Sequence, residues 1–195
     1  MTPPAVARAD RRPEDTADRR PENTALRRFD DAFDDCLERL RGHPVADHAF
    51  RAASALGDFS VIWHLVSTGF GLTSARRTDR ALRMAILLGA ESLIVNQGVK
   101  RLFRRTRPTE SGDERYPVRR PSTSSFPSGH ASAAFFSASL LSEGERALAP
   151  VWLSLAAVVA TSRAYVRIHH GSDVVAGAAL GLVLAAVAKR VWPAP

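Results

Sequence analysis

Four long, mainly apolar stretches limit what this 195-residue chain can become: Leu56 to Thr73, Ala81 to Val99, Ala147 to Tyr165 and Asp173 to Val191. Each approaches the roughly 20 mainly apolar residues that carry a helix across a bilayer. A fifth stretch runs from Ser128 or Gly129 to about Leu141 and is rich in Ala, Ser and Phe. It is too short to face lipid comfortably and suits a helix shielded inside a bundle. The expected fold is all-α, a bundle of about five transmembrane helices. Antiparallel order puts the end of the Ala81–Val99 helix, the start of the Gly129 helix, the end of the Ala147–Tyr165 helix and the start of the last helix on one side.

The polar residues before the first run divide in two. Residues 1–24 are Arg, Asp, Glu, Pro and Ala with little apolar surface to bury, and read as a disordered charged tail. Residues 25–55 read as an amphipathic helical segment, because Leu26, Phe29, Phe33, Leu37 and Leu40 recur at steps of three and four. Gly42-His43-Pro44 ends that helix. Its stripe fits either a membrane interface or a face of the bundle. Residues 56–195 form the main helical domain. Met1 to Thr24 lacks the apolar core of an export signal, and its paired arginines are followed by none. The single cysteine, Cys36, forms no internal disulfide and reads as a small packing residue. A formal charge of +7 suits nucleic acid, an anionic membrane surface or a phosphorylated substrate. The apolar runs remove the nucleic-acid reading.

Three short patterns carry chemistry: Lys100 with Arg107-Pro108, Pro127-Ser128-Gly129-His130, and Ser162-Arg163 with His169 and Asp173. A phosphoryl group in transfer spreads negative charge over its equatorial oxygens, and Lys100, Arg107 and Arg163 can neutralise it, the arginines through forked N–H pairs. Ser128 and Gly129 add a hydroxyl and backbone N–H groups where a helix begins. His169 is placed to attack phosphorus. Asp173, four residues on, can hold one ring nitrogen so that the other stays nucleophilic. His130 is left to protonate the departing oxygen. Glu91, inside an apolar run, needs a partner and reads as a structural pair with a neighbouring helix. His170 reads as a neighbour of the site, and the arginines of the 101–126 loop as solvated or facing anionic head groups.

Three such patterns in this order resemble the type 2 phosphatidic acid phosphatase (PAP2) superfamily, which includes lipid phosphate phosphatases, acid phosphatases and vanadium haloperoxidases. The resemblance covers roughly Leu56 to Trp192. It implies a PAP2-like helical phosphatase with a phosphohistidine on His169, His130 as acid, Asp173 as partner, and Lys100, Arg107, Ser128, Gly129 and Arg163 as the phosphate cradle. It implies no metal and no cofactor. The expected substrate is a lipid phosphate, such as a polyprenyl phosphate or phosphatidate, met at the bilayer surface, with no nucleic-acid partner. Two other readings fit parts of the pattern: a membrane protein that binds phosphorylated lipid without cleaving it, and a vanadate-dependent haloperoxidase. Arginines at positions 101, 104, 105, 115, 119 and 120 lean the catalytic side of the expected cell-membrane protein towards the cytoplasm.

Overall fold

The computed structural model describes residues 24–109, 115–116 and 123–195. The charged segment 1–23 and parts of the arginine-rich loop, including Pro117, Pro121 and Ser122, lie outside the described residues. Seven α-helices are present among those described, with no strand: α1 Thr24–Glu38, α2 Pro44–Gly57, α3 Val61–Gly71, α4 Ala75–Leu93, α5 Gly129–Gly144, α6 Ala149–Tyr165 and α7 Gly171–Val191.

α5 is the central helix and packs most extensively on α6 and α7. Its small side chains make this possible: Ala131, Ser132, Ala133, Ala134, Ser137 and Ala138 are all buried. α7 answers with Gly177 and Gly181, whose missing Cβ atoms would collide with the carbonyls of Ser128 and Ser132. The small-residue spacing on α7 thus brings two backbones of one chain together. Around this pair, Trp63, Met84, Leu88, Phe136, Trp152 and Val159 fill one continuous core.

α4 buries two charged side chains beside Met84 and Leu88. Arg83 and Glu91 face inward, where Arg83 meets Glu143 at 2.8 Å and Glu91 accepts a hydrogen bond from the Ser132 hydroxyl. Leu82, Ile86 and Leu93 face outward. The partner expected for Glu91 is therefore a hydroxyl on α5.

The run Leu56 to Thr73 is not one helix. α2 ends at Gly57, and a tight 3-10 turn, Asp58–Ser60, redirects the chain into α3. Phe59 and Ser60 both take left-handed backbone angles, φ 53° and 59°, which cost energy without a glycine. Two helices, Arg146–Tyr165 and Gly171–Val191, are long and apolar enough to cross a membrane by length and composition. α3 has 11 residues, too few to span alone, and α4 carries five arginines or acids in its first half.

α1 packs on α6 and α7 through Phe33 and Leu37, while Leu26, Phe29 and Leu40 on the same stripe stay exposed. Arg41 closes the junction, donating to the carbonyls of Tyr165 and Ala164 at 3.0 Å each. Cys36 is exposed, contrary to its expected packing role, because it lies off the face that meets α6 and α7.

Candidate active site

The site forms where four chain ends meet. Ser128 caps α5 through its hydroxyl, and its backbone N–H donates to the Asp173 carbonyl at 3.0 Å, tying the start of α5 to the start of α7. Two helix N-termini thus lie side by side, a setting that favours an anion. The loop before α5 is stitched back on itself: Ser125 N–H donates to the Arg105 carbonyl and Ser125 Oγ to the Thr106 carbonyl, each at 3.0 Å. That stitching delivers Arg107.

Arg107 Nη1 donates to the Ile168 carbonyl at 2.8 Å and stands 3.3 Å from His169 Nε2. A guanidinium only donates, so Nε2 is the acceptor and the proton of the neutral ring sits on Nδ1. Asp173 Oδ2 lies 3.5 Å from that Nδ1, an approach just short of a closed hydrogen bond. His169 is 3% exposed. Burial, opposed in part by Asp173 and reinforced by Arg107 and Arg163, pulls its pKa down to about 3. The ring is therefore neutral at ordinary pH, and its Nε2 lone pair is free to attack once the Arg107 guanidinium turns from it to a phosphate oxygen.

Arg163, in the last turn of α6, is 1% exposed. Its Nη1 donates to Ser54 Oγ at 2.5 Å and lies 3.6 Å from Asp58. Its Nε and Nη2 have no acceptor among the described residues. Lys100 is buried in the 3-10 turn Val99–Leu102 beyond α4. It shares its electrostatic neighbourhood with Arg107, Arg163 and Asp173, and a Cβ on Gly129 would lie 3.4 Å from its Nζ. Burial first, and then the two arginines, lower the Lys100 pKa to about 8. Three cations thus crowd one buried volume, an arrangement that a multivalent anion relieves.

His130 joins this group through a residue that motif reading passed over. Its Nε2 is 2.9 Å from Asp58 Oδ1, and Asp58 also faces Arg163. The strained turn after α2 exists where Asp58 is delivered, and a Cβ on Gly57 would strike His130 Cδ2. The only sequence sign of Asp58 was a lone acid after glycine in an apolar run.

Two further residues were read differently. Arg105, taken as solvated or facing head groups, bridges Asp30 of α1 and Asp173, at 2.6 Å each. Asp30 in turn accepts from the Ser172 N–H at 2.8 Å. His170, expected only as a neighbour, is the N-cap of α7 in place of Ser172 or Asp173, and its backbone N–H donates to Asp173 Oδ2 at 2.9 Å. Asp173 is therefore fixed from three sides. Among the described residues no group of three His, Cys, Asp or Glu side chains is placed to hold a metal ion.

A helical bundle that gathers three cations beside a neutral histidine is suited to holding a phosphate. The model of the PAP2 superfamily matches residues 80–194, and the chain belongs to that superfamily and is a phosphoric monoester hydrolase. It is 33% identical over 140 residues to the decaprenylphosphoryl-5-phosphoribose phosphatase of Mycolicibacterium smegmatis, covering 71% of this chain and 74% of the relative. The protein of the same name from Mycobacterium tuberculosis is 31% identical over 144 residues, covering 72% and 77%. Among solved structures, the transmembrane PAP2-type phosphatidylglycerolphosphate phosphatase of Bacillus subtilis superposes with a TM-score of 0.66 at 24% identity, covering 87% of each chain. Aquifex aeolicus LpxE superposes with a TM-score of 0.64 at 20% identity, covering 86% of this chain and 93% of that one.

Proposed function

We propose that this protein is an integral membrane lipid phosphatase that removes a terminal phosphate through a phosphohistidine on His169. The observation that carries the reading is the meeting of Lys100, Arg107 and Arg163 beside the unprotonated Nε2 of His169, with two Arg163 donors unused. The phosphate oxygens take those donors, the Ser128 hydroxyl and the N–H groups at the start of α5. The Nε2 lone pair forms the P–N bond as the P–O bond to the lipid breaks. Asp173 stabilises the Nδ1–H side of the ring as positive charge grows. His130 must enter this step as the imidazolium, with Asp58 and the incoming phosphate supplying the negative charge that favours it; it keeps Nε2–H on Asp58 and gives the Nδ1 proton to the leaving oxygen. Water then attacks phosphorus, His130 takes its proton, the P–N bond breaks and phosphate leaves.

The membrane reading rests on the outward side chains. Leu82, Ile86 and Leu93 of α4 and Leu182, Val183 and Val187 of α7 are exposed, while Arg83 and Glu91 of α4 lie inside. On this reading the 56–195 domain sits in the cell membrane as a bundle of about five spanning elements. The 25–55 segment is docked on it, and the catalytic end meets the cytoplasmic lipid–water boundary. The substrate class follows from the relatives' names: a phosphate carried on a polyprenyl-linked sugar comes first, then polyprenyl and glycerolipid phosphates.

The test is phosphate release from a panel of these lipids in detergent micelles. The wild-type protein is expected to turn over at least one, without added metal and with inhibition by vanadate. His169→Ala falls to background, and His130→Ala loses about 10²–10⁴-fold. Full turnover by His169→Ala overturns the assignment.

A further inference from the structure

We infer that the opposite end of the bundle holds a second site, for the anionic head group of a membrane phospholipid. There the end of α3, the start of α4, the end of α5 and the start of α6 enclose a cavity of about 50 Å³. Its wall is apolar, with Phe70, Met84 and Trp152, and its charged lining is Arg77, Arg80 and Arg83 with one acid, Glu145. Phe70 and Trp152 meet edge to face at 5.4 Å, and the Arg77 guanidinium lies 5.9 Å from the Phe70 ring centre.

The second observation is a set of unmatched donors. Arg80 Nε, Arg83 Nη2 and Trp152 Nε1 are buried and have no acceptor among the described residues. Arg83 is 3% exposed and Trp152 7%. The acids at this end are already engaged: Glu143 with Arg83 Nη1 at 2.8 Å and Glu145 with Arg77 Nη2 at 2.5 Å. A Pro195 oxygen accepts from Arg80 Nη2 at 3.2 Å and from Arg76 at 2.9 Å. Buried N–H groups without acceptors are costly, and forked guanidinium donors match phosphate oxygens.

The neighbouring surface selects an amphiphile over a free ion. Leu72 and Val151, at the same end, are exposed apolar side chains that acyl chains can meet. The cavity accommodates head-group oxygens and leaves those chains outside. This site is separate from the catalytic cup. His130 and Gly144 stand at opposite ends of α5, about 21 Å apart at helical rise, so no side chain is shared between the two sites.

The experiment counts lipids retained by the full chain in native mass spectrometry. Phosphatidylglycerol and phosphatidylcholine are offered in equal amounts, with vanadate occupying the catalytic end. One phosphatidylglycerol is expected to be retained in preference. Arg80→Gln and Arg77→Gln each weaken that retention about tenfold, Arg80→Lys keeps most of it, and all three hydrolyse p-nitrophenyl phosphate as the wild type does. Two substitutions are used so that a folding failure in one leaves the other decisive. Equal retention of both lipids, or undiminished retention in both Gln variants, overturns the site. Loss of the lipid on adding vanadate assigns it to the catalytic end and also overturns it. Displacement of the lipid by millimolar inorganic phosphate shows a free-ion site and overturns the phospholipid assignment.

Discussion

Lys100 joins charge to pH at the scale of single residues. Its lowered pKa of about 8 means that it is charged below that pH and neutral above it. The free enzyme therefore loses one phosphate-gripping cation as pH rises through about 8. Bound phosphate dianion holds the proton in place, so kcat/KM is expected to fall across that range while kcat does not. Lys100→Arg, whose guanidinium does not titrate there, is expected to abolish the break. An unchanged alkaline limb in that variant would assign it to another group. Asp58 makes a second prediction. Asp58→Asn keeps the shape of the side chain and removes its charge from His130 Nε2. Hydrolysis of an alkyl phosphate, whose leaving oxygen needs a proton, should slow by about 10–10²-fold. Hydrolysis of p-nitrophenyl phosphate, with its stable leaving group, should change little. Equal slowing of both would mean that Asp58 is only structural. The motif residues were legible because their spacing is local. Asp58 was not, because it lies 72 residues before His130 and no spacing rule connects them.

Elements show the same division. The spacing of Gly177 and Gly181 is that of a close-contact stripe, but only the packing of α7 on the α5 backbone decides its partner. Gly181→Ala places a Cβ on the Ser132 carbonyl. Overpacking of this kind costs about 1–3 kcal/mol, which for a chain of this size lowers the melting temperature by roughly 2–10 °C. A melting curve unchanged from wild type would show that α7 can move away from α5 without loss. The break at Asp58–Ser60 escaped reading for a different reason. Apolar composition continues through it, and its left-handed angles fall on Phe59 and Ser60, residues that do not advertise a turn. α1 was readable as an amphipathic helix, yet its stripe matches lipid and protein equally. Asp30 docks α1 on the bundle by reaching Arg105 and Ser172, and Leu26, Phe29 and Leu40 of the stripe stay outside that contact.

The molecule as a whole is apolar where it meets its surroundings and charged at its two ends. Arg83 and Glu91 are buried beside Met84 and Leu88 while Leu82 and Ile86 are exposed, which departs from the pattern of a helix in water. Membranes carrying the protein are expected to keep it through high salt and alkaline carbonate, and to release it only to detergent. Recovery in the carbonate supernatant would mean a peripheral protein held by its positive charge. The net charge of +7 alone does not distinguish these cases, because it concerns the surface and says nothing of which side chains are inside.

Residue type and short-range spacing were enough to indicate an all-helical chain and the family its motifs belong to, since a helix repeat and a motif are both properties of neighbours in the chain, but not the break after Gly57. Packing alone decided who holds whom: Asp58 on His130, Arg105 between Asp30 and Asp173, and unmatched arginine donors at the far end. Those contacts depend on how helices cross and where a turn bends, and such angles are fixed by interactions summed over the entire bundle.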